Sequence, residues 1–584
     1  MSGSNGGPKP SVLIIGIDGA TFDLIKPWAE DGKLPTFKRL LDEGVHGELE
    51  SVIPPITPPA WTSFMTGMNP GKHGLFNFIE HDPHDQSIRY TNASSRRVPT
   101  VWSLLSRMGR RVGIVNVPMT YPPEEVNGFC ISGLDTPDES SRFVYPDGLR
   151  RELEQAVGKI YLDHRHLGYM TTDDKRDSVL EDLVRIENRR TEMAEYLITR
   201  HPTDVMMLVY TATDTVQHFF WHYMDPTHPF YDPCGAEKYR DAVLDIHRMI
   251  DANIARLLAL VPQETVVIVV SDHGGGPVSK QVIRLNQCLE ELGVLAYKRG
   301  WNGGGSRSIH RLTRRMDDYL RGMLSPNQKA RLARIFPNLR ARWESYASSA
   351  AMIDWEKTQA YCLEFLSFPS EIWINIEGRS PHGRVKPGAE YEAVVESLIR
   401  RLYALKDGET GRSLIRRIYR KEEIYQGPYL DLAPDLILSW WEDGAFQVQK
   451  SVPGSGQPSV SDGTRETGAS AASWSGTHRL HGVLLMKGGP LRRAATLSKA
   501  HITDVAPTLL HLMGVPVPPE MDGSVLLEAF EDTFTRSCRV QYGSEGAPEH
   551  AVNGNGNGNG NGAAYTAAES EKIKERLKGL GYIE

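Results

Sequence analysis

Acidic and histidine side chains occur at four separate places in this chain, where they could converge on a metal ion. In chain order they are Asp18, the pair Asp214 and His218, the pair Asp272 and His273, and His478. In the segment TDTVQH the acid and the histidine are four residues apart, so a helix would place both side chains on one face. Carboxylate oxygens and neutral imidazole nitrogens suit zinc. These residues therefore predict a divalent metal site.

The segments ahead of these clusters predict how they come together. Three aliphatic runs, residues 11–17, 204–210 and 265–270, are typical of strands buried on both faces. One of the clusters follows each of these runs, and His478, the fourth, is likewise expected to follow a strand. Amphipathic helices alternate with the strands, as along residues 239–257. This alternation predicts an α/β fold with helices on both faces of a sheet. Open α/β sheets bind ligands at the carboxyl ends of their strands, which would bring the clusters to one edge.

Each cluster taken alone also has a purely structural interpretation. An aspartate at the end of a strand is most often a helix cap, and an Asp-His pair most often forms a turn. An aspartate and a histidine four residues apart most often make an exposed helix contact. The recurrence of these residues at several predicted strand ends favours the metal site.

A threonine in a proline-rich segment could supply a nucleophile. Thr57 lies in IPPITPPAW, between two pairs of prolines. Pro58 is expected at the first helical position, which makes Thr57 the N-cap and directs its hydroxyl to the positive end of a helix. Metal coordination could lower the pKa of that hydroxyl enough for attack on phosphorus. A plain helix cap is the alternative, and the spacing alone leaves both open.

The composition argues against several classes of protein. The 584 residues include 66 Lys and Arg against 73 Asp and Glu, a net charge of −7, so we expect no nucleic-acid partner. The five cysteines form no CxxC pair, which favours a reducing compartment over a disulfide framework or a cysteine metal site. We find neither a signal sequence nor an apolar run long enough for a transmembrane segment. We therefore expect a cytoplasmic protein.

Changes in sequence pattern predict the domain organisation. The predicted segments are a flexible tail at 1–10, a catalytic α/β core in two parts at 11–281 and 442–535, an inserted cap at 282–441, a mobile Gly/Ser-rich loop at 451–475 inside the second core part, a flexible Asn/Gly linker at 536–562, and a C-terminal helix at 563–584. The cap contains an Arg-rich stretch, residues 307–342, which is either a solvated helical face or a surface that attracts an anionic substrate.

Seven segments together resemble the alkaline phosphatase superfamily, in its type I phosphodiesterase/nucleotide pyrophosphatase branch. In chain order they read IIGIDG, TPPAWTSFMTG, NPGKHG, TDTVQH, SDHGG, GTHR and DVAPTLLHLMG. The resemblance implies a three-layer α/β/α core with a mostly parallel sheet and an inserted cap. It also implies two divalent metal ions, with zinc favoured over manganese, and a small phosphorylated substrate.

The resemblance also implies roles for individual residues. Carried over by position, the first metal would be bound by Asp18, Thr57, Asp272 and His273, and the second by Asp214, His218 and His478. His481 stands close to His478, but the GTHR motif favours His478. Thr57 would be the nucleophile and would form a phosphothreonine intermediate, which water then hydrolyses.

The chain departs from the family pattern three residues after the nucleophile. Nucleotide pyrophosphatases usually carry an asparagine there that holds a phosphate oxygen, whereas this chain has Ala60. Pro58 and Pro59 lack amide donors. Phosphate recognition would therefore fall to the Thr57 amide, to the metals or to a side chain such as Arg479.

These observations lead to one main hypothesis and two alternatives. The main hypothesis is a metal-dependent phosphodiester hydrolase. A phosphomonoesterase or phosphotransferase of the same superfamily is the first alternative, because the same metal pair serves all of these reactions. A pseudoenzyme that binds phosphorylated ligands is the second, but it predicts a missing ligand, and all seven positions are filled. A sulfatase is disfavoured, because no Cys or Ser nucleophile with a following Arg stands near Thr57.

Overall fold

A computed structural model describes most of the chain. The described residues are 11–162, 172–298, 352–364, 370–408, 410–442, 446–451, 457–465, 474–543, 565–580 and 583. The predicted flexible tail at 1–10, the Arg-rich stretch at 307–342, the Asn/Gly repeat at 553–562 and parts of the loop at 451–475 lie outside these residues. Among the described residues, none of the helices combines the length and the apolar character needed to cross a bilayer.

The described residues form the following strands and helices. The strands are β1 (Val12–Ile17), β2 (Val45–Glu50), β3 (Ile79–Asp82), β4 (Ser87–Tyr90), β5 (Val112–Val115), β6 (Gly128–Ile131), β7 (Val144–Tyr145), β8 (Val205–Tyr210), β9 (Val266–Val270), β10 (Gly274–Pro277), β11 (Gln281–Arg284), β12 (Ala360–Cys362), β13 (Glu371–Ile374), β14 (Ile418–Arg420), β15 (Leu436–Leu438), β16 (Gln447–Gln449), β17 (Val460–Asp462), β18 (Gly476–Arg479), β19 (His481–Lys487) and β20 (Ala495–Thr496). The helices are α1 (Phe22–Glu30), α2 (Pro35–Glu43), α3 (Thr57–Thr66), α4 (Pro70–His73), α5 (Val101–Arg107), α6 (Asp147–Val157), α7 (Asp173–Arg200), α8 (Ala212–Met224), α9 (Pro233–Tyr239), α10 (Ala242–Leu258), α11 (Leu285–Glu291), α12 (Ala389–Tyr403), α13 (Lys421–Ile424), α14 (Val505–Leu512), α15 (Asp532–Ser537) and α16 (Ala567–Leu580). Short 3-10 turns lie at Ala93–Ser95, Leu430–Leu432, Gly463–Arg465, Ile502–Asp504 and Leu527–Ala529.

A mostly parallel sheet forms the centre of the described structure. Nine of the described strands build it, in the order β20-β2-β19-β9-β1-β8-β5-β6-β7. Strand β1 pairs in parallel with β8 and with β9, and β5 pairs in parallel with β8 and β6, whereas β19 is antiparallel to β9 and β2. The three strands predicted from aliphatic runs are the adjacent β8, β1 and β9, and each is buried along its whole length.

Helices cover both faces of this sheet. Alternate side chains of a strand point to opposite faces, so each central strand contributes to two apolar clusters. Leu13 and Ile15 of β1 belong to an apolar cluster that includes side chains of α7, α8 and α10. Val12 and Ile14 of the same strand belong to a second cluster, with side chains of α3, α5 and α14. The predicted α/β fold with three layers is therefore confirmed.

A smaller antiparallel sheet, in the order β12-β13-β15-β14, has an apolar cluster of its own. We call this group of side chains the small-sheet cluster. The buried Asp435 carboxylate links several elements around this sheet. It accepts hydrogen bonds from Arg379 at 2.9 Å and from the Ile374 amide at 2.7 Å, and it pairs with Lys421 at 3.2 Å. The domain boundaries predicted from the sequence stay a prediction.

The C-terminal helix α16 packs against the central sheet region of the chain. Ile573, Leu577 and Leu580 follow one another at intervals of four and three residues, which places them on one face of the helix, and all three are buried in the same cluster as Leu13 of β1. Polar contacts add to this packing, because the Arg576 guanidinium donates to the Thr136 carbonyl at 2.6 Å and the Tyr565 hydroxyl donates to the Asp135 carbonyl at 2.6 Å. The helix is thus part of the main apolar core.

Leu577→Ala is therefore expected to destabilise the whole protein. Removing a buried leucine side chain typically costs about 2–5 kcal/mol of unfolding free energy. Glu575 lies two residues before Leu577, on the exposed side of α16. Its replacement by alanine should leave the midpoint of thermal unfolding nearly unchanged. Equal midpoints for the two variants would show that α16 does not contribute to the core in solution.

Candidate metal centre

Three of the four predicted clusters meet at the carboxyl ends of adjacent strands. Asp18 directly follows β1, and Asp272 and His273 follow β9. Asp214 lies in the first turn of α8, just beyond β8. His478 differs from the prediction, because it lies within β18 rather than after a strand. Strand β18 pairs with β10, which continues from the end of β9, and this pairing returns His478 to the same edge of the sheet.

The side chains of these clusters are in close contact. The Asp214 Oδ1 atom lies 3.1 Å from Nε2 of His218 and 3.5 Å from Nε2 of His478. Nε2 of His273 lies 3.5 Å from Oδ1 of Asp18 and 3.2 Å from Oδ2 of Asp272. The predicted spacing of four residues in TDTVQH therefore places Asp214 and His218 together, as a helix requires.

Among the described residues, two groups could each hold a metal ion. The first consists of Asp214, His218 and His478, and the second of Asp18, Asp214 and His273; within each group the ligand atoms lie within 4.8 Å of one another. Asp214 belongs to both groups. His478, and not the exposed His481, is the histidine that completes the first group.

Backbone carbonyls fix the orientation of the three imidazoles. Nδ1 of His218 donates to the Gly476 carbonyl at 2.8 Å, Nδ1 of His478 to the Pro55 carbonyl at 2.8 Å, and Nδ1 of His273 to the Gly274 carbonyl at 3.0 Å. A neutral imidazole that donates through Nδ1 has a lone pair at Nε2. All three Nε2 lone pairs therefore face the centre of the site, which is how metal-binding histidines are oriented.

The resulting array of electron-rich atoms fits a bound cation. Nε2 of His218 and Nε2 of His478 lie 3.1 Å apart, and Nε2 of His273 faces carboxylate oxygens. Lone pairs at such distances repel one another unless a positive charge lies between them. Asp272 Oδ2 and His273 Nε2 are also buried without a hydrogen-bond partner. Such atoms cost free energy unless an ion or a donor satisfies them.

Burial controls the protonation of the site. It lowers the pKa of His273 well below the ordinary value and also lowers that of His478, so both imidazoles stay neutral. Burial, together with the charge of Asp214, raises the pKa of Asp272. A bound cation would reverse this last effect, because it favours the ionised carboxylate.

Thr57 is the first residue of α3, and the prediction that it is the N-cap is wrong. Ile56 occupies the N-cap, because its carbonyl accepts the Ala60 amide and so closes the first helical turn. The Thr57 hydroxyl therefore caps nothing. It is fully buried, and its Oγ1 atom has no hydrogen-bond partner. A hydroxyl that the helix does not use is available for chemistry.

The segments on either side of Thr57 contact the candidate metal ligands. One helical turn after Thr57, the Trp61 indole donates from Nε1 to Asp18 Oδ2 at 3.2 Å. Two residues before Thr57, the Pro55 carbonyl accepts from His478. The sequence interpretation did not include Trp61, although its spacing of four residues from Thr57 on one helix was a usable signal.

Glu187 supports the position of Asp214, and the sequence interpretation did not identify this residue. Both oxygens of the buried Glu187 carboxylate are bound: Oε1 accepts the amides of Thr211 and Ala212 at 2.8 Å each, and Oε2 pairs with Arg190. Glu187 thereby fixes the start of α8, the helix that carries Asp214. The contacts of Glu187 with Thr211 and Ala212 join residues more than 20 positions apart, so local patterns do not reveal them.

Three further residues, Arg479, Ala60 and Trp474, lie close to candidate site residues in sequence or in space. The Arg479 guanidinium donates to the His478 carbonyl at 3.0 Å and to the Pro277 carbonyl at 2.7 Å. Ala60 is fully buried in the apolar cluster around α3. The Trp474 indole covers His218, with ring centroids 3.6 Å apart.

Comparison with known proteins identifies the family of this chain. The family model described as type I phosphodiesterase/nucleotide pyrophosphatase matches residues 12–464. The chain belongs to this family. The resemblance predicted from the motifs is thus confirmed, and the protein is a phosphoric ester hydrolase of the phosphodiesterase/pyrophosphatase type. The family is metal-dependent, in agreement with the two candidate ligand groups. His478 lies beyond the matched residues, so its place in the site rests on the structure.

Three solved structures with similar chains are the human and murine ectonucleotide pyrophosphatase/phosphodiesterase 5 and the phosphonoacetate hydrolase from Sinorhizobium meliloti 1021. The human protein is 14% identical over 89% of this chain and 99% of its own, with a TM-score of 0.47. The murine protein is 15% identical over 88% and 97%, with a TM-score of 0.42. The hydrolase, in complex with phosphonoformate, is 14% identical over 85% and 94%, with a TM-score of 0.51. The similarity to the hydrolase concerns the fold.

Proposed function

We propose that this phosphoric ester hydrolase cleaves phosphodiesters through a nucleophilic attack by Thr57. The observation that carries the proposal is the fully buried Thr57 hydroxyl, which has no hydrogen-bond partner and lies on a helix whose Trp61 contacts Asp18. Such a hydroxyl has no structural use in the fold. Its neighbours are the groups that divalent metals bind.

We further propose that the seven predicted residues hold two divalent metals, with zinc favoured over manganese because of the imidazole ligands. The assigned ligands are Asp18, Thr57, Asp272 and His273 for one ion, and Asp214, His218 and His478 for the other. When bound, two such ions would stabilise negative charge on the phosphate oxygens and favour the ionised threonine hydroxyl. The contacts of the Nδ1 atoms with backbone carbonyls keep the three Nε2 atoms directed at the ions.

The reaction proceeds in two displacements at phosphorus. In the first, Thr57 Oγ1 loses its proton and forms a bond to phosphorus, the ester bond to the leaving alcohol breaks, and the alcohol departs with a proton. In the second, water attacks the phosphothreonine and restores the hydroxyl, which releases a phosphomonoester. Trp61 orients Asp18, and Glu187 fixes the first turn of α8 during both steps.

A phosphomonoesterase or phosphotransferase is the second candidate, because Ala60 is packed in the apolar core and offers no polar contact to a phosphate oxygen. A comparison of bis-aryl diesters, mononucleotide diesters and aryl monoesters, made together with metal analysis of the purified protein, tests the proposal. We expect faster turnover of the diesters and a metal content near two ions per chain. Faster turnover of the monoester would favour the second candidate. Metal binding without turnover of any substrate would indicate a protein that binds phosphorylated ligands only.

A further inference from the structure

The loop that leads into Thr57 is held by two buried donors from distant parts of the chain. The Tyr425 hydroxyl donates to the Ile53 carbonyl at 2.6 Å, and Nδ1 of His478 donates to the Pro55 carbonyl at 2.8 Å. Two of the four residues from 53 to 56 are prolines, which have no N–H group. The carbonyl groups are therefore the main means by which this loop is fixed.

Tyr425 brings the small-sheet cluster to this loop. It directly follows α13, it is 2% exposed, and it packs edge-on against Phe76 with ring centroids 5.2 Å apart. Ile56, which precedes Thr57, belongs to the same cluster. Burial raises the pKa of Tyr425, so its hydroxyl remains a donor throughout the ordinary pH range.

The segment NPGKHG, whose role the metal site does not explain, holds the chain that follows Tyr425. The Asn69 side chain makes two hydrogen bonds with the backbone of Gln426: its Nδ2 donates to the carbonyl at 2.9 Å, and its Oδ1 accepts the amide at 3.1 Å. The Tyr429 amide also donates to the Gly71 carbonyl at 3.1 Å. A Cβ atom at position 71 would lie 2.7 Å from the Gln426 carbonyl oxygen, so this close approach requires glycine.

We infer that Tyr425 is a positioning residue for residues 53–56, which we call the nucleophile loop. Asn69 acts through Tyr425 by holding the adjoining backbone in place. Through these contacts, the small sheet would influence the position of Thr57. This inference rests on the proposed role of Thr57 as the nucleophile.

Tyr425→Phe removes the hydroxyl and keeps the packed ring. We expect kcat to fall about tenfold with KM nearly unchanged, because a small displacement of a reacting group costs rate rather than binding. Tyr361→Phe is the matched control. Tyr361 is also buried in the small-sheet cluster, and its hydroxyl also bonds across to another part of the chain, with 3.0 Å to Nε2 of His81, but it does not contact the nucleophile loop. The control should lose thermal stability to a similar extent and keep its kcat.

Hydrogen exchange supplies a readout that does not depend on turnover. The Ile56 amide, which bonds to the Pro54 carbonyl at 2.9 Å, and the Thr57 amide should exchange faster in Tyr425→Phe than in Tyr361→Phe. Asn69→Ala should reproduce the loss of kcat, and the Asn69→Ala/Tyr425→Phe double variant should be no slower than the slower single variant, as expected for two residues that act through one contact.

The outcomes separate this inference from the proposed function. Turnover by Thr57→Ala at the wild-type rate would overturn the proposed function, and the inference with it. An inactive Thr57→Ala protein combined with equal kcat and equal exchange for Tyr425→Phe and Tyr361→Phe would overturn the inference alone. Additive losses in the double variant would overturn the part assigned to Asn69.

Discussion

Thr57→Ala is expected to lower kcat for an aryl phosphodiester on the order of 10⁴-fold or more, as removal of a covalent nucleophile does in other hydrolases. The loss follows from the chemistry rather than from the fold, because the Thr57 hydroxyl makes no hydrogen bond that the helix needs. Acid quenching of the wild-type reaction followed by mass spectrometry should find phosphate on the peptide that contains Thr57. Thr57→Ser should retain part of the activity, because it keeps a hydroxyl at the same position.

Thr62→Ala is the matched control for this experiment. Thr62 lies on the same helix and is equally buried, but its hydroxyl donates to the Pro58 carbonyl at 2.7 Å. Loss of that bond should cost about 1 kcal/mol of stability. The rate should stay close to that of the wild type. If Thr57→Ala and Thr62→Ala have similar rates, Thr57 is not the nucleophile.

Asp214→Asn is expected to reduce both metal content and turnover more than any single histidine change in the site. Asp214 is proposed as a ligand of one ion, and its carboxylate also lies among the atoms of the second candidate group, whereas His478 lies in one group only. Metal ions supply several kcal/mol of transition-state stabilisation, and each 1.36 kcal/mol is a tenfold change in rate. The loss in kcat/KM should therefore be at least about 10³-fold. Elemental analysis after dialysis should find fewer ions per chain in Asp214→Asn than in His478→Gln.

Asp251→Asn separates this effect from the general cost of changing a buried aspartate. The Asp251 carboxylate is 3% exposed and accepts the amides of Thr36 and Phe37 at 3.1 and 2.8 Å, so its hydrogen bonds hold the start of α2. This variant should lose stability and keep its metal ions. A full metal complement in Asp214→Asn, together with a rate near that of the wild type, would contradict the assignment of Asp214.

Local sequence patterns were sufficient for the central strands of the fold. The aliphatic runs predicted β1, β8 and β9 to within one residue at each end, because strands buried on both faces need continuous apolar character. The position of β19 was less accessible. Its antiparallel pairing with β9 and β2 is decided by contacts between residues more than 200 positions apart.

The residues of the site could likewise be predicted only where local spacing determines their positions. The spacing of Asp214 and His218 was readable, because both lie on one helix. The start of α3 was predicted one residue too late, because proline at the second helical position fits a helix as well as proline at the first. The contacts of Glu187 and Tyr425 depend on which elements the fold brings together, and no spacing rule contains that information.

The deep burial of the site, where Asp214 is 5% exposed and Asp18 3%, makes access a step that the kinetics should reveal. Thr57 and His273 are 0% exposed, and the Trp474 indole covers His218. A phosphorus atom that arrives from solvent cannot meet a hydroxyl enclosed in this way until neighbouring side chains have moved aside. Turnover would then depend on how often the protein opens, and a more viscous medium would slow the capture of even a highly reactive ester.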